Sequence, residues 1–227
     1  MSGRMVGWAW VRRALIGAAV VVPGAALIAD PLVGWLIPLY RLAFETLVPE
    51  LRVLALETTS QGGHHVVLAK VTLARMTVIG QTVLWPDARG IATASTPLAH
   101  ALHMPTAALL VSAAWPAASA GRVAARVLLA VGLAAVWIPV DVPAVLAANL
   151  WRILLDHHAP GAFSPLLVWA GFVSGGGRWM LGAAMGVAAA LAVTGRTPVR
   201  PQPPASRLSA SPAARADRGP VRRGGTP

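Results

Sequence analysis

Residues 104–142 read MPTAALLVSAAWPAASAGRVAARVLLAVGLAAVWIPVDV. Two apolar runs flank a short basic stretch, Gly121-Arg122-Val123-Ala124-Ala125-Arg126. A helix needs roughly 20 apolar residues to cross a bilayer core. Two such runs, joined by a tight turn carrying two Arg, predict a membrane hairpin with its turn on the cytoplasmic side. The first run starts at Met104-Pro105, where Pro suits a first helical turn, and is placed at 104–120. The second is placed at 123–142, because Pro139, Asp141 and Pro143 stand where it should emerge.

The composition agrees. The chain has 227 residues, 56% hydrophobic and only 12% charged, where a soluble domain carries about 25%. Mean hydropathy is +0.64. Arg outnumbers Lys 18 to 1, which suggests a GC-rich bacterial genome. The net charge of +11 is gathered at the cytoplasmic ends of apolar runs, so it reads as membrane orientation and excludes a nucleic-acid partner. There is no Cys, which removes disulfides, thiol catalysis and thiolate metal sites.

Working outward, residues 1–13 read as a basic cytoplasmic N-terminus and 14–40 as a first span, interrupted by Asp30. A cleaved signal peptide is the rival reading, since Arg12 and Arg13 precede a short apolar core; the poor cleavage motif at Leu27-Ile28-Ala29 favours an uncleaved anchor. Residues 41–103 hold five basic and four acidic side chains and predict a small external, periplasmic β-rich domain. Its strands are expected at Leu51–Thr58, His64–Leu73, Met76–Trp85 and Ile91–Ser95, forming an antiparallel meander that leans on the membrane, on helix ends or on a partner.

After the hairpin, 144–158 carries Leu146, Leu150, Ile153 and Leu154 on one helical face and predicts an external interfacial helix. The last run, 163–193, contains Gly175-Gly176-Gly177-Arg178 and predicts a fourth span with a glycine break. Residues 194–227 are rich in Pro, Ala, Ser and Arg and predict a disordered basic cytoplasmic tail. The fold class is thus membrane α-helical, with about four transmembrane helices, a small external β-rich insert between the first and second, and both termini in the cytoplasm of a bacterial inner membrane.

Few residues carry chemistry. Arg178 stands a turn inside an apolar run, where a charge costs about 2.5–3.5 kcal/mol on insertion scales. Asp141 lies at another external helix end and is its candidate partner; snorkelling of Arg178 to the headgroups is the alternative. Gly182 and Gly186 could permit close helix approach. All six His, at 64, 65, 100, 103, 157 and 158, fall on external segments, but no carboxylate accompanies them with ligand spacing, so no metal site is assigned. No nucleophile elbow, phosphate-cradling loop or transporter repeat is present. No catalytic residue and no cofactor are assigned.

Thr96-Pro97-Leu98, Leu102, Met104-Pro105 and Ala107-Ala108-Leu109-Leu110 resemble the corresponding stretch of the exosortase H-associated group of small bacterial membrane proteins. The order of elements over 14–193 is also similar. The resemblance implies an N-terminal anchor, an external β-rich segment and packed C-terminal helices. The chain departs from the family in carrying His100 and His103 where an aromatic is common, and in its long Arg/Pro tail. It implies a non-catalytic accessory role in protein sorting or envelope assembly, with the lipid bilayer and an exosortase-like membrane enzyme as partners. The chain cannot be that enzyme, whose family uses a Cys nucleophile. Two other readings stay open: a metal-handling protein using the external His, and a small enzyme acting on lipid-linked phosphate through Arg178.

Overall fold

The computed structural model describes residues 2–87, 89–117 and 119–194, the side chains of 2–7, 9 and 10 excepted. The expected tail, 194–227, lies outside the described residues apart from Thr194. The order is α1 (Ser2–Leu47), β1 (Leu51–Gln61), β2 (His64–Leu73), β3 (Thr77–Ile79), β4 (Thr82–Leu84), β5 (Ala92–Pro97), α2 (His100–Ala114), α3 (Ala120–His158), α4 (Pro165–Phe172) and α5 (Arg178–Thr194).

Among the described residues, three helical stretches are long and apolar enough to cross a membrane: Val11–Leu47, Ala120–His158 and Pro165–Thr194. This corrects the expected four. The second expected span is α2, which has only 15 residues against the roughly 20 that a span needs. It stops at Trp115 because Pro116 follows, and a residue before Pro is driven out of the helical region; Trp115 has φ −63° and ψ 133°.

Two of the spanning helices are much longer than a bilayer core. At about 1.5 Å per residue, α1 runs about 70 Å and α3 about 60 Å. Pro23, Pro31 and Pro38 sit inside α1, and Pro139 and Pro143 inside α3, without ending either helix. The expected break between a third span and a separate interfacial helix at 144–158 is therefore absent. Each Pro forfeits one backbone bond. In α3 the nearby residues Val142, Leu146, Ala147 and Leu150 are buried in a shared core that offsets this loss.

The protruding ends of α1 and α3 carry the sheet. Val33, Tyr40, Phe44 and Val48 repeat at helical spacing along α1 and are buried. They meet Val53 of β1, the alternate residues Val67, Ala69 and Val71 of β2, and Leu146 and Leu150 of α3 in one cluster. The helix end thus supplies the second apolar layer that a small sheet lacks. On the outer face Lys70 pairs with Glu57 across the strands at 3.0 Å.

The sheet is not a simple meander. Its order is β1-β2-β5, with every pairing antiparallel. The expected third strand, 76–85, is a separate hairpin, β3 and β4, turned at Gly80 with φ 61°. The fourth expected strand becomes β5 and pairs with β2, Val67 facing Thr96 and Ala69 facing Ala94.

On the opposite side of the bundle α5 lies close against α2. A Cβ added at Gly186 would stand 2.7 Å from the Ala108 carbonyl oxygen and from Val111 Cβ, and one at Gly182 would collide with the Met104 carbonyl. The glycines permit backbone contact that any side chain would prevent. At Gly34 of α1, by contrast, nothing lies within 4 Å. Gly186→Ala should lower the thermal unfolding midpoint in mild detergent, equivalent to an overpacking cost of about 1–3 kcal/mol. Gly34→Ala should leave it unchanged or raise it, as Ala is the better helix former by up to about 1 kcal/mol.

Candidate functional site

Two of the three buried charged side chains among the described residues, Asp141 and Arg178, meet where α3 and α5 pass the start of α2. The glycine run makes this junction. Val173–Gly177 forms a widened turn between α4 and α5, and Gly176 has φ 105°, a left-handed value that only glycine takes without strain. Gly177 lies under the Phe172 ring, where a side chain would clash. The chain is thereby redirected, and Arg178 becomes the first residue of α5, pointing at α3.

Asp141 is brought to it by α3. Arg178 Nε donates to Asp141 Oδ2 at 2.6 Å, and the two side chains are only 2% and 4% exposed. Asp141 Oδ1 and Arg178 Nη2 have no further partner among the described residues. The structure thus joins the two residues singled out by the cost of an intramembrane charge. It also answers the snorkelling alternative, since Arg178 turns inward.

The histidines divide into three places. His100 and His103, one turn apart at the start of α2, have ring centroids 5.3 Å apart, and His103 stacks on Trp179 at 5.1 Å. Burial, then the Arg178 charge, push His100 down to about 4, so it is neutral near pH 7. Thr96 Oγ1 lies 3.4 Å from its Nδ1. His64 and His65 open β2, and His65 Nδ1 reaches Asp30 Oδ1 of α1 at 3.2 Å on an exposed surface. His157 and His158 close α3, their rings 6.0 Å apart. Among the described residues no group of three or more His, Asp or Glu has an arrangement that could hold a metal ion.

His64, His65, His103, Asp30 and Trp179 are among the walls of a cleft of about 600 Å³ between α1 and α2. A second, apolar groove of about 430 Å³ runs along the same stretch of α1 toward Val131 and Ile138 of α3, with Ala25, Leu102 and Thr106 as walls common to both. A third, apolar groove of about 280 Å³ lies between the sheet and the end of α3, with Trp85, Ile91 and Ile153 on its rim.

Sequence reasoning missed two contacts. Arg126 was read only as an orientation signal; it is 1% exposed, and its Nη1 donates to the Trp115 and Pro116 carbonyls at 3.1 and 2.9 Å. It thereby satisfies carbonyls that the end of α2 leaves open. The Asp30–His65 contact was also missed, although an acid inside an apolar run marks a position needing a partner.

Fold and site define a helical membrane protein with a small antiparallel sheet built on the projecting ends of two helices. Comparison with protein-family models, curated proteins and solved structures finds no match.

Breaking a buried pair from one side strands a charge, at about 3–5 kcal/mol. Asp141→Leu and Arg178→Met should each lower folded yield and thermal stability to that degree. The double substitution should cost less than either single change, measured as a double-mutant cycle in detergent.

Proposed function

We propose that this chain is a non-catalytic accessory protein of the bacterial inner membrane, in a system of the exosortase type for protein sorting or envelope assembly. Its helices would bind a membrane enzyme, and its sheet unit would sit in the periplasm where substrates emerge. The observation carrying this reading is the apolar rim on the sheet unit. Trp85 is 71% exposed, and Ile91 and Ile153 stand beside it around the 280 Å³ groove. Met76 and Val78, on and before the β3–β4 hairpin, are exposed as well. Exposed apolar side chains gathered on one unit are a hallmark of a protein–protein contact.

The sheet is packed onto α1 and α3 through one core, so this rim is held at a set height above the spans. Such a unit suits a docking platform. The sequence resemblance over 14–193 supplies the narrower assignment to the exosortase class. The buried, fully engaged Nε of Arg178 speaks against that residue as a phosphate ligand at the surface.

In this reading both termini and the Arg122 turn are cytoplasmic, and α2, too short to count among the spans, leads the chain back toward that side packed on α5. The chain has no native Cys, so single-Cys variants report position cleanly. Ser60→Cys should react with an impermeant thiol reagent in intact cells, and Gly121→Cys only after lysis. A photo-cross-linking residue at position 85 should then capture a membrane-embedded protein-processing enzyme in native membranes. Ile153→Ser should weaken that capture at unchanged protein level. Reversed labelling would overturn the orientation, and capture of no protein-processing enzyme would overturn the assignment.

A further inference from the structure

We propose that the outer edge of β1, over the half next to the Gly62-Gly63 turn, binds an extended segment of another polypeptide as an added strand. The contact is made by backbone groups of Leu56, Thr58 and Ser60. It is separate from the apolar rim and holds whatever enzyme docks there.

The first argument is the phase of the ladder. Along an antiparallel strand, residues bonded to one neighbour alternate with residues turned the other way. Leu98 N–H donates to the His65 carbonyl at 3.0 Å, so His65, Val67, Ala69 and Val71 turn their backbone groups toward β5. Val66, Leu68, Lys70 and Thr72 then turn theirs toward β1, where they face Thr59, Glu57, Ala55 and Arg52. A second count starts from the 2.7 Å bond of Ala74 N–H to the Glu50 carbonyl and gives the same phase at Arg52. Leu56, Thr58 and Ser60 are left with N–H and carbonyl pointing away from the sheet. Thr58 and Ser60 are exposed and Leu56 is partly buried.

The second argument is that the other edges are closed. Proteins guard open edges with Pro, bulges, charges or a covering helix. At the far edge of the sheet, β5 has Pro97 at an outward position and α3 packed against it. At the start of β1, Arg41 Nη2 donates to the Val53 carbonyl at 3.0 Å, and a bulge follows between Val53 and Ala55. From Leu56 to Ser60 no side chain or loop among the described residues bonds the outward groups. Glu57, the one charge there, is engaged by Lys70.

The third argument selects the occupant. β1 runs back along α1: Leu51 N–H bonds the Val48 carbonyl at one end, and His65, just past the turn, reaches Asp30 at the other. Two copies in one bilayer are related by an axis along its normal, so their β1 strands would run parallel. Like edges paired in parallel need an odd offset in register, which a two-fold axis along the strands forbids. The occupant is therefore a different chain. Thr58, Thr59 and Ser60 offer hydroxyls, and Thr–Thr, Thr–Ser and β-branched pairs are favourable across strands. The matching segment is extended, uncharged and rich in Thr, Ser and Val, captured by strand addition.

The test uses the full chain in mild detergent with a short synthetic peptide of alternating Thr and Val, followed by residue-resolved amide exchange. The peptide should slow exchange at Leu56, Thr58 and Ser60 and leave Glu57 and Thr59, already bonded to β2, unchanged. A peptide N-methylated at alternate residues keeps one bonding edge and should still bind. One N-methylated throughout should bind at least about tenfold more weakly, as three backbone bonds are lost. Thr58→Pro should abolish binding with β2 protection intact, whereas Thr59→Pro should open the ladder at Val66. Equal binding of the fully methylated peptide, no slowing at the three amides, or loss of β2 protection in Thr58→Pro would each overturn the proposal. Protection of the three amides without peptide, fading on dilution, would assign the edge to a second copy and overturn it too.

Discussion

A carboxylate and a guanidinium almost wholly withdrawn from water must satisfy each other, and this requirement organises the molecule. Asp141 stands between Pro139 and Pro143, where α3 would otherwise be weakest. Arg178 stands directly after a glycine turn that no other residue could make at Gly176. Neither position is a comfortable place for a charge. Their bond ties the middle of α3 to the start of α5. A neutral pair could pack as tightly, but would not penalise a shift in register so heavily.

Around that junction the structure divides its labour by residue size. Below it, glycine and alanine let α2 and α5 approach until backbone meets side chain, as at Gly182 and Gly186. Above it, Tyr40, Phe44, Leu146 and Leu150 fill a core with the sheet, where larger side chains are needed to span the distance between layers. Arg126 secures the far end by bonding the carbonyls that Trp115 and Pro116 leave open. The short α2 is thus held at one end by an arginine and along its length by glycine packing.

Much of this was legible in the sequence, for physical reasons that can be named. Long apolar runs and clustered Arg identify membrane helices whatever their partners, because the bilayer imposes its length directly. The first two strands were marked by β-branched residues and by the Gly62-Gly63 turn, both local signals. Asp141 and Arg178 were legible as charges in need of a partner, with their pairing and the snorkelling of Arg178 both open. What stayed hidden was tertiary. Met76–Trp85 alternates like one strand, but Gly80 at φ 61° turns it into a hairpin whose tip lies close to His158 and Ala159. The pairing of β5 with β2 is a long-range choice. Pro139 and Pro143 signal a helix end, yet the core on either side outweighs two lost backbone bonds. Pro116, in contrast, was a local signal for the end of α2, and the apolar run beyond it was misleading. The cleft between α1 and α2 could not be foreseen, since it is assembled from three helices.

Hydrogen exchange followed by mass spectrometry, comparing the native chain with Asp141→Asn, bears most directly on this account. Loss of the charge pair should raise exchange in 165–182 and in α3 near Val142, while β1 and β2, held by the separate apolar core, keep their protection. Unchanged exchange across 165–182 would contradict the central role given to the pair. Uniform loss of protection through the sheet would contradict the division between the junction and the core above it.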